Sequence, residues 1–305
     1  MMSLPVPIHN DSDLRYLRRS FVRHLAADGR SAATRAAYSA AIAQLETFLT
    51  NQRLPTTVMA LRPDHLEAFF VSLYERQLRP ATILARHHAL SRFFGWLTDE
   101  GELTSSPMAN LRPPSTHPSR AVVLTTAQIE AVLAACAGPA FEDVRDAAMI
   151  RLFVDTGTRL TEMAGLQLDE VDLEFKAVYV ASTGHAPRAV PFDTVTARAL
   201  ERYLALRAGH DHGHLPTLWL GRRGRLTARG VDEAVRHRGQ LAGLPNLHPG
   251  QFRHTFVQQY LADGGDGRDL MRLVGWKSRQ LLGRYGTDAL AERPRAEWLR
   301  LGDRL

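Results

Sequence analysis

The chain nearly lacks lysine. Lys176 and Lys277 are the only two in 305 residues, so the remainder of its 38 basic Lys and Arg side chains is arginine. Arginine offers a planar fork that can hold two phosphate oxygens, but its high pKa makes it a poor proton donor. Cysteine is almost as scarce: Cys136 stands alone, which excludes an internal disulfide and a cysteine-based zinc site. No apolar run approaches the roughly 20 residues that span a bilayer, so no membrane partner is expected. The opening MMSLPVPIHNDSD carries neither a basic nor an apolar region of the secretory kind, which leads to the expectation of a cytoplasmic protein. No internal repeat or low-complexity segment appears.

What is present suits two globular units. Hydrophobic residues make up 45% of the chain, enough to bury two cores. The net charge of +6 favours a polyanionic partner, because a basic surface gains free energy by releasing counterions from nucleic acid. In the first hundred residues apolar side chains recur at helical spacing in four stretches: Leu14 to Leu25 after Asp11 and Ser12, Tyr38 to Leu49 after Ser31, Leu66 to Leu73, and Ile83 to Leu97 from near Pro80. Their opposite faces carry Arg35, Arg76, Arg86 and Arg92 among other arginines, a pattern that fits a solvated face or a DNA-binding one. The proline-rich stretch from Leu111 to Arg120 reads as an extended linker.

Beyond it the pattern becomes mixed α and β. Thr125 and Gln128 form a capping-box signal for a helix reaching Ala135; further helices are expected at 144–155, after Arg159, and at 194–207, 228–241, 253–262 and 268–274. Ala177 to Ser182 and Arg188 to Phe192 read as a hairpin with residues 183–187 as its turn, and Leu218 to Gly221 as a further strand. Tyr179 and Tyr203 are expected to pack.

Two segments carry chemistry. TGTRLTEMAGL places Arg159 one helical turn before Glu162, close enough for the carboxylate to orient the guanidinium. LHPGQFRHTFVQQYLADGGDGRDLMRLVGWKSRQLLGRYG sets out Arg253, Trp276 and then Tyr285, nine positions after the tryptophan. A tyrosine that attacks a phosphodiester conserves the bond energy in a covalent ester, and two bidentate arginines can supply the charge that metal ions supply elsewhere. No cofactor or metal is then expected.

These boxes, in this order, resemble those of the tyrosine recombinase (phage integrase) family, and the Xer-like site-specific recombinases within it. The resemblance covers nearly the whole chain. It implies a mainly α fold with a small β-sheet: a helical, SAM-like core-binding domain (1–111), a linker (112–121) and a mixed α+β catalytic domain (122–305). It further implies that Arg159 and Arg253 clamp the scissile phosphate, Trp276 takes the His/Trp position and Tyr285 is the nucleophile, with Arg188 aligned in the hairpin as a candidate DNA contact. The expected partner is double-stranded DNA, bound by a homotetramer that is a monomer or weak oligomer when free.

Two positions depart from the family pattern. Its hairpin lysine aligns with Thr183, and the histidine that opens its second box aligns with Gly250. Lys176 lies at the far end of a strand roughly 20 Å long at about 3.3 Å per residue. His185, which titrates near neutrality, is the stand-in for the lysine; His248 is a candidate for the histidine, His254 supports its helix, and Lys277 is placed as a phosphate contact. The expected activity is cutting and rejoining of duplex DNA through a 3′-phosphotyrosyl intermediate. The alternative is a catalytically impaired relative that binds DNA as an accessory or architectural protein. Residues 290–301 are expected to form a terminal helix, packed on a neighbour or on the same domain.

Overall fold

Asp13, one residue beyond the expected cap, starts the first helix: its carboxylate accepts from the Arg15 N–H at 2.8 Å, and α1 runs Leu14–Ala27. In this computed structural model residues 12–114, 122–182, 185–276 and 278 are described. Ser31 caps α2 (Ala32–Asn51) through the Thr34 N–H at 3.1 Å. Proline in the first turn opens both α3 (Pro63–Glu75) and α4 (Pro80–Asp99), where its missing N–H breaks no helical bond. The apolar stripes meet in one core: Leu17, Phe21, Ile42, Leu45, Leu66, Phe69, Leu90 and Phe94 all lie within it. Phe21 packs edge-on to Phe93 with ring centroids 5.3 Å apart, an arrangement the ring quadrupoles favour. His87, buried on α4, bonds the Leu111 carbonyl at 3.0 Å through Nε2 and so ties down the chain as it leaves the helices.

The chain divides into two compact units, Met1–Ser119 and Arg120–Leu305. In the second, the Thr125 and Gln128 capping box opens α5 (Thr126–Ala134). The next helices are α6 (Phe141–Thr156), α7 (Leu160–Gly165), α8 (Thr194–Ala208), α9 (Ala228–Leu241), α10 (Pro249–Ala262) and α11 (Gly267–Val274). Helix α6 is the centre of this unit. Val144, Ala148, Met149, Ile150, Leu152 and Phe153 are buried on several of its faces, which is why it shows no single apolar stripe.

Three antiparallel strands, β1 (Val171–Asp172), β2 (Ala177–Ser182) and β3 (His185–Pro191), form a sheet in sequence order. Strands β4 (Leu220–Gly221) and β5 (Gly224–Arg225) make a small separate hairpin. The long hairpin is tighter than expected, with His185 paired to Ser182 across a register shift, so that His185 belongs to a strand rather than to the turn. Along β2 the pleat buries Val178 and Val180 and leaves Tyr179 exposed, which corrects its expected role in packing. Tyr203 is fully buried as expected, donating to the Leu218 carbonyl at 2.9 Å and accepting from the Leu220 N–H at 3.0 Å. No described helix is long and apolar enough to cross a membrane. Thr183, Gly184, Lys277, Tyr285, most of the linker and the expected helix at 290–301 lie outside the described residues.

Candidate functional site

The end of α11 brings Arg159, Arg188 and Arg253 together. Gly275 adopts φ +67°, and the N–H groups of Gly275 and Trp276 turn back onto the carbonyls of Arg272 and Met271, the pattern with which a glycine closes a helix. That closure leaves the next three carbonyls without a helical partner, and arginines from three different elements take them. Arg188 Nε on β3 donates to Leu273 O at 2.7 Å, Arg253 Nη2 on α10 to Val274 O at 2.6 Å, and Arg159 Nη2 to Gly275 O at 3.2 Å. Cations are favoured here by the partial negative charge of a helix C-terminus.

Arg253 lies in the second turn of α10, which begins at Pro249 and so is longer than expected. Its Nη1 donates to Gly157 O at 2.7 Å, and its Cζ stands 5.8 Å from the ring centroid of Trp276, a cation–π distance. Gly157 ends α6 at φ +54°, and a Cβ there would meet Phe256 Cδ1 at 2.6 Å. The glycine of TGTR therefore allows the close approach that presents its carbonyl to Arg253.

Glu162 organises the other two arginines. Its Oε1 accepts from Arg159 Nη1 at 2.7 Å and Arg188 Nη1 at 3.1 Å; its Oε2 accepts from the Arg159 backbone N–H at 2.9 Å and Arg188 Nη2 at 2.8 Å. Burial pushes its carboxyl up, but the hydrogen bonds and charges of Arg188 and Arg159 outweigh that and hold it at about 2. The side chains of Glu162 and Arg188 are 1% and 10% exposed, whereas that of Arg159 is 33% exposed and still reaches solvent. Gly275 fits tightly against this cluster, since a Cβ would lie 3.3 Å from Arg188 Cζ.

His248 precedes α10 and is half-buried, its ring Nδ1 and Cε1 each 3.1 Å from where a Cβ of Gly250 would stand. The imidazole of residue 248 thus occupies space that a side chain at 250 would enter. Burial lowers the His248 pKa below its ordinary value and the charge of Arg236 lowers it further, with Asp232 opposing. Burial, His248 and Arg253 lower that of His254. Both shifts favour the neutral imidazole, the form that can accept a proton.

Arg188 differs most from its expected role: all three guanidinium nitrogens face inward, onto Leu273 O and Glu162, rather than toward DNA. Sequence gave no signal for this, because Glu162 lies 26 positions away and Leu273 85. Lys176 is held by Thr194 Oγ1 at 2.8 Å, at the start of β2. In the first unit Arg76 and Arg92 are exposed, Arg35 is half-buried, and Arg86 donates through Nε to Gln44 Oε1 at 2.7 Å. Among the described residues no group of three His, Cys, Asp or Glu side chains could hold a metal ion.

A helical unit followed by a mainly helical one with a short sheet, and two arginines gathered at the end of α11, one of them over Trp276, define the architecture of an integrase-type recombinase. The profile of the Phage integrase family matches residues 122–292, and that of its N-terminal SAM-like domain residues 17–101. Tyrosine recombinase XerC of Roseiflexus castenholzii is 32% identical over 266 residues, covering 85% of this chain and 84% of the relative. The chain belongs to the phage integrase family of tyrosine recombinases. The fold is shared with the XerH site-specific recombinase in its post-cleavage complex with a palindromic difH substrate, at TM-score 0.73, 18% identity and coverage of 93% of this chain and 84% of that one. It is shared also with a lambda integrase tetramer bound to a Holliday junction, at TM-score 0.67, 18% identity and coverage of 90% and 80%.

Proposed function

We propose that the protein is a site-specific DNA recombinase that cuts and rejoins duplex DNA through a 3′-phosphotyrosyl intermediate at Tyr285. The observation that carries this reading is the meeting of Arg159 and Arg253 at the end of α11, beside Trp276 and nine residues before Tyr285. In the first step the Tyr285 oxygen bonds to phosphorus, the bond from phosphorus to the 5′ oxygen breaks, and that oxygen takes up a proton. In the second, a 5′ hydroxyl attacks the phosphotyrosine and the tyrosine recovers its proton. Bond energy is conserved throughout, so the scheme calls for neither nucleotide hydrolysis nor a cofactor.

Arg159 and Arg253 hold the non-bridging oxygens and stabilise the charge that develops on them. His248, lying against Gly250, takes the tyrosine proton; His185 is the donor to the 5′ oxygen, and Lys277 a phosphate contact. His254 supports α10. Residues 1–111 form the core-binding domain, with Arg35, Arg76, Arg86 and Arg92 facing DNA, 112–121 the linker, and 122–305 the catalytic domain. DNA in the XerH complex and four subunits in the lambda integrase complex support duplex DNA as partner and a tetramer on paired sites, assembled from monomers or weak oligomers in the cytoplasm.

A nicked suicide duplex carrying the cognate site is expected to trap a covalent adduct with the wild-type protein and none with Tyr285→Phe. An equal adduct with both proteins sinks the assignment of the nucleophile. Thr183 and Gly250 favour a second reading, an accessory protein that binds and bends DNA while partners cut. Loss of one positioned acid or base typically slows a reaction roughly 10² to 10⁴-fold. A gain on that scale in the Thr183→Lys, Gly250→His double variant favours the accessory role, and no gain in an active protein rejects it.

A further inference from the structure

Glu162 presents a difficulty for the clamp it organises. A carboxylate 1% exposed and 2.7 Å from Arg159 cancels, at close range and with little water to screen it, much of the charge that Arg159 is to offer a phosphate. Arg188 supplies the missing charge. It chelates both oxygens of Glu162 at 3.1 and 2.8 Å, so one negative charge is shared between two guanidiniums and the group of three keeps a net charge of +1. Its side chain is 10% exposed and all three of its nitrogens are bonded inside the protein, so it is closed to phosphate itself. Its third bond, to Leu273 O at 2.7 Å, fastens the hairpin to the helix end beside which Gly275 and Trp276 lie.

We infer that Arg188 is a positioning residue of the strand-cleavage reaction: it offsets the charge of Glu162, which leaves Arg159 cationic toward the scissile phosphate, and it makes no contact with DNA. Two features separate this from a plain structural brace. The effect depends on the charge of the substrate phosphate, and it is relieved by removing the charge of Glu162. The inference rests on reading Arg159 as a phosphate ligand.

The test uses thymidine 3′-(p-nitrophenyl phosphate) and its neutral methylphosphonate analogue with the full-length protein. Attack by Tyr285 forms the bond from its oxygen to phosphorus, passes the phenol proton to a base and expels p-nitrophenolate, a leaving group that needs no proton, so the residue at 183 does not limit the readout. Arg188→Met is expected to slow nitrophenolate release from the phosphate diester by about 10² to 10³-fold, the scale of losing one oxyanion contact, and from the methylphosphonate by under about tenfold. Arg188→Met with Glu162→Gln, which removes both charges together, is expected to recover at least about tenfold over Arg188→Met on the phosphate diester.

Equal losses on both substrates, or no recovery in the double variant, overturn the inference. A second measurement does not need turnover: the rise in Tm produced by inorganic phosphate against chloride of equal ionic strength. That rise is expected to be lost in Arg188→Met as in Arg159→Ala. A full rise in a folded Arg188→Met protein overturns the inference. Wild-type protein that releases no nitrophenolate but shows the phosphate rise and its loss in Arg188→Met counts against the recombinase reading and leaves standing only the offset of Glu162 by Arg188 at a phosphate site.

Discussion

The second unit builds the same device twice, with opposite outcomes. Asp146 bridges Arg145, whose Nη2 lies 2.7 Å from Oδ1, and Arg238, whose Nε lies 2.8 Å from Oδ2; Glu162 bridges Arg188 and Arg159. Around Asp146 all three side chains are at most 7% exposed, and the remaining donors go to protein: Arg145 Nη1 to Leu220 O, Arg238 Nη1 to Ala135 O and Arg238 Nη2 to Asp143. Around Glu162 one arginine, Arg159, stays a third exposed. The chemistry is shared, and access separates them: the closed group holds α6, α9 and the β4 hairpin together, while the open one leaves a guanidinium face exposed to solvent.

The comparison breaks most visibly at Asp146. Replacing it with alanine leaves two buried arginines without their shared counter-charge, a loss of about 3–5 kcal/mol when a buried pair is broken. Thermal unfolding is expected to show a large fall in Tm; a fall of only a degree or two contradicts the structural role. Arg159→Ala, by contrast, removes a side chain with an open face. Its Tm is expected to change little, while adduct formation falls roughly 10² to 10³-fold, as for one lost oxyanion contact. If Tm collapses instead, the two groups are alike after all.

Between these extremes lies the backbone that serves the open group. Gly157→Ala meets Phe256 Cδ1 at 2.6 Å and φ +54°, and Gly157 O is the partner of Arg253 Nη1. A loss of about 1–3 kcal/mol in denaturant unfolding is expected from the overpacking, together with slower adduct formation as Arg253 shifts. An unchanged midpoint contradicts the close packing.

How far the sequence announced these two groups is itself instructive. Arg159, Glu162, Arg253 and Trp276 lie in short local boxes, and helical spacing alone places Glu162 beside Arg159. The four N-terminal helices are equally legible, because Leu14, Ile42, Leu66 and Ile83 each belong to an apolar stripe that one core absorbs. Arg188 is not legible: its partners come from α7 and α11, so a sequence reading puts it on a strand face toward DNA. Neither is the group around Asp146, where Arg238 crosses 92 positions to reach it. Strands β1 and β5, two residues each, carry too few side chains to show alternation. Sequence pattern puts His185 in the turn, because the register shift between Val180 and Ser182 carries no residue signature there.

Acid sharpens the comparison from another side. The Glu162 carboxyl is lowered from 4.5 to about 2 on folding, so its contribution to stability is fully present above its unfolded value of 4.5 and is lost as pH falls from there toward 2. Glu162→Gln removes this contribution, and its stability curve is expected to be flatter than the wild type between those pH values. Parallel acid limbs in the two proteins contradict the strong pairing of Glu162 with Arg188 and Arg159.

The smallest effect is expected where the ion pair has neither burial nor a second arginine. Arg229 Nε meets Glu233 Oε1 at 2.7 Å on α9, a distance as short as that between Arg159 and Glu162, but the two side chains are 88% and 59% exposed. Water screens the attraction, and fixing two long side chains opposes it. Arg229→Ala is expected to leave Tm and adduct formation within experimental scatter. A clear fall in Tm in that variant shows that distance alone sets the worth of these pairs, and the contrast between Asp146 and Glu162 then loses its basis in exposure.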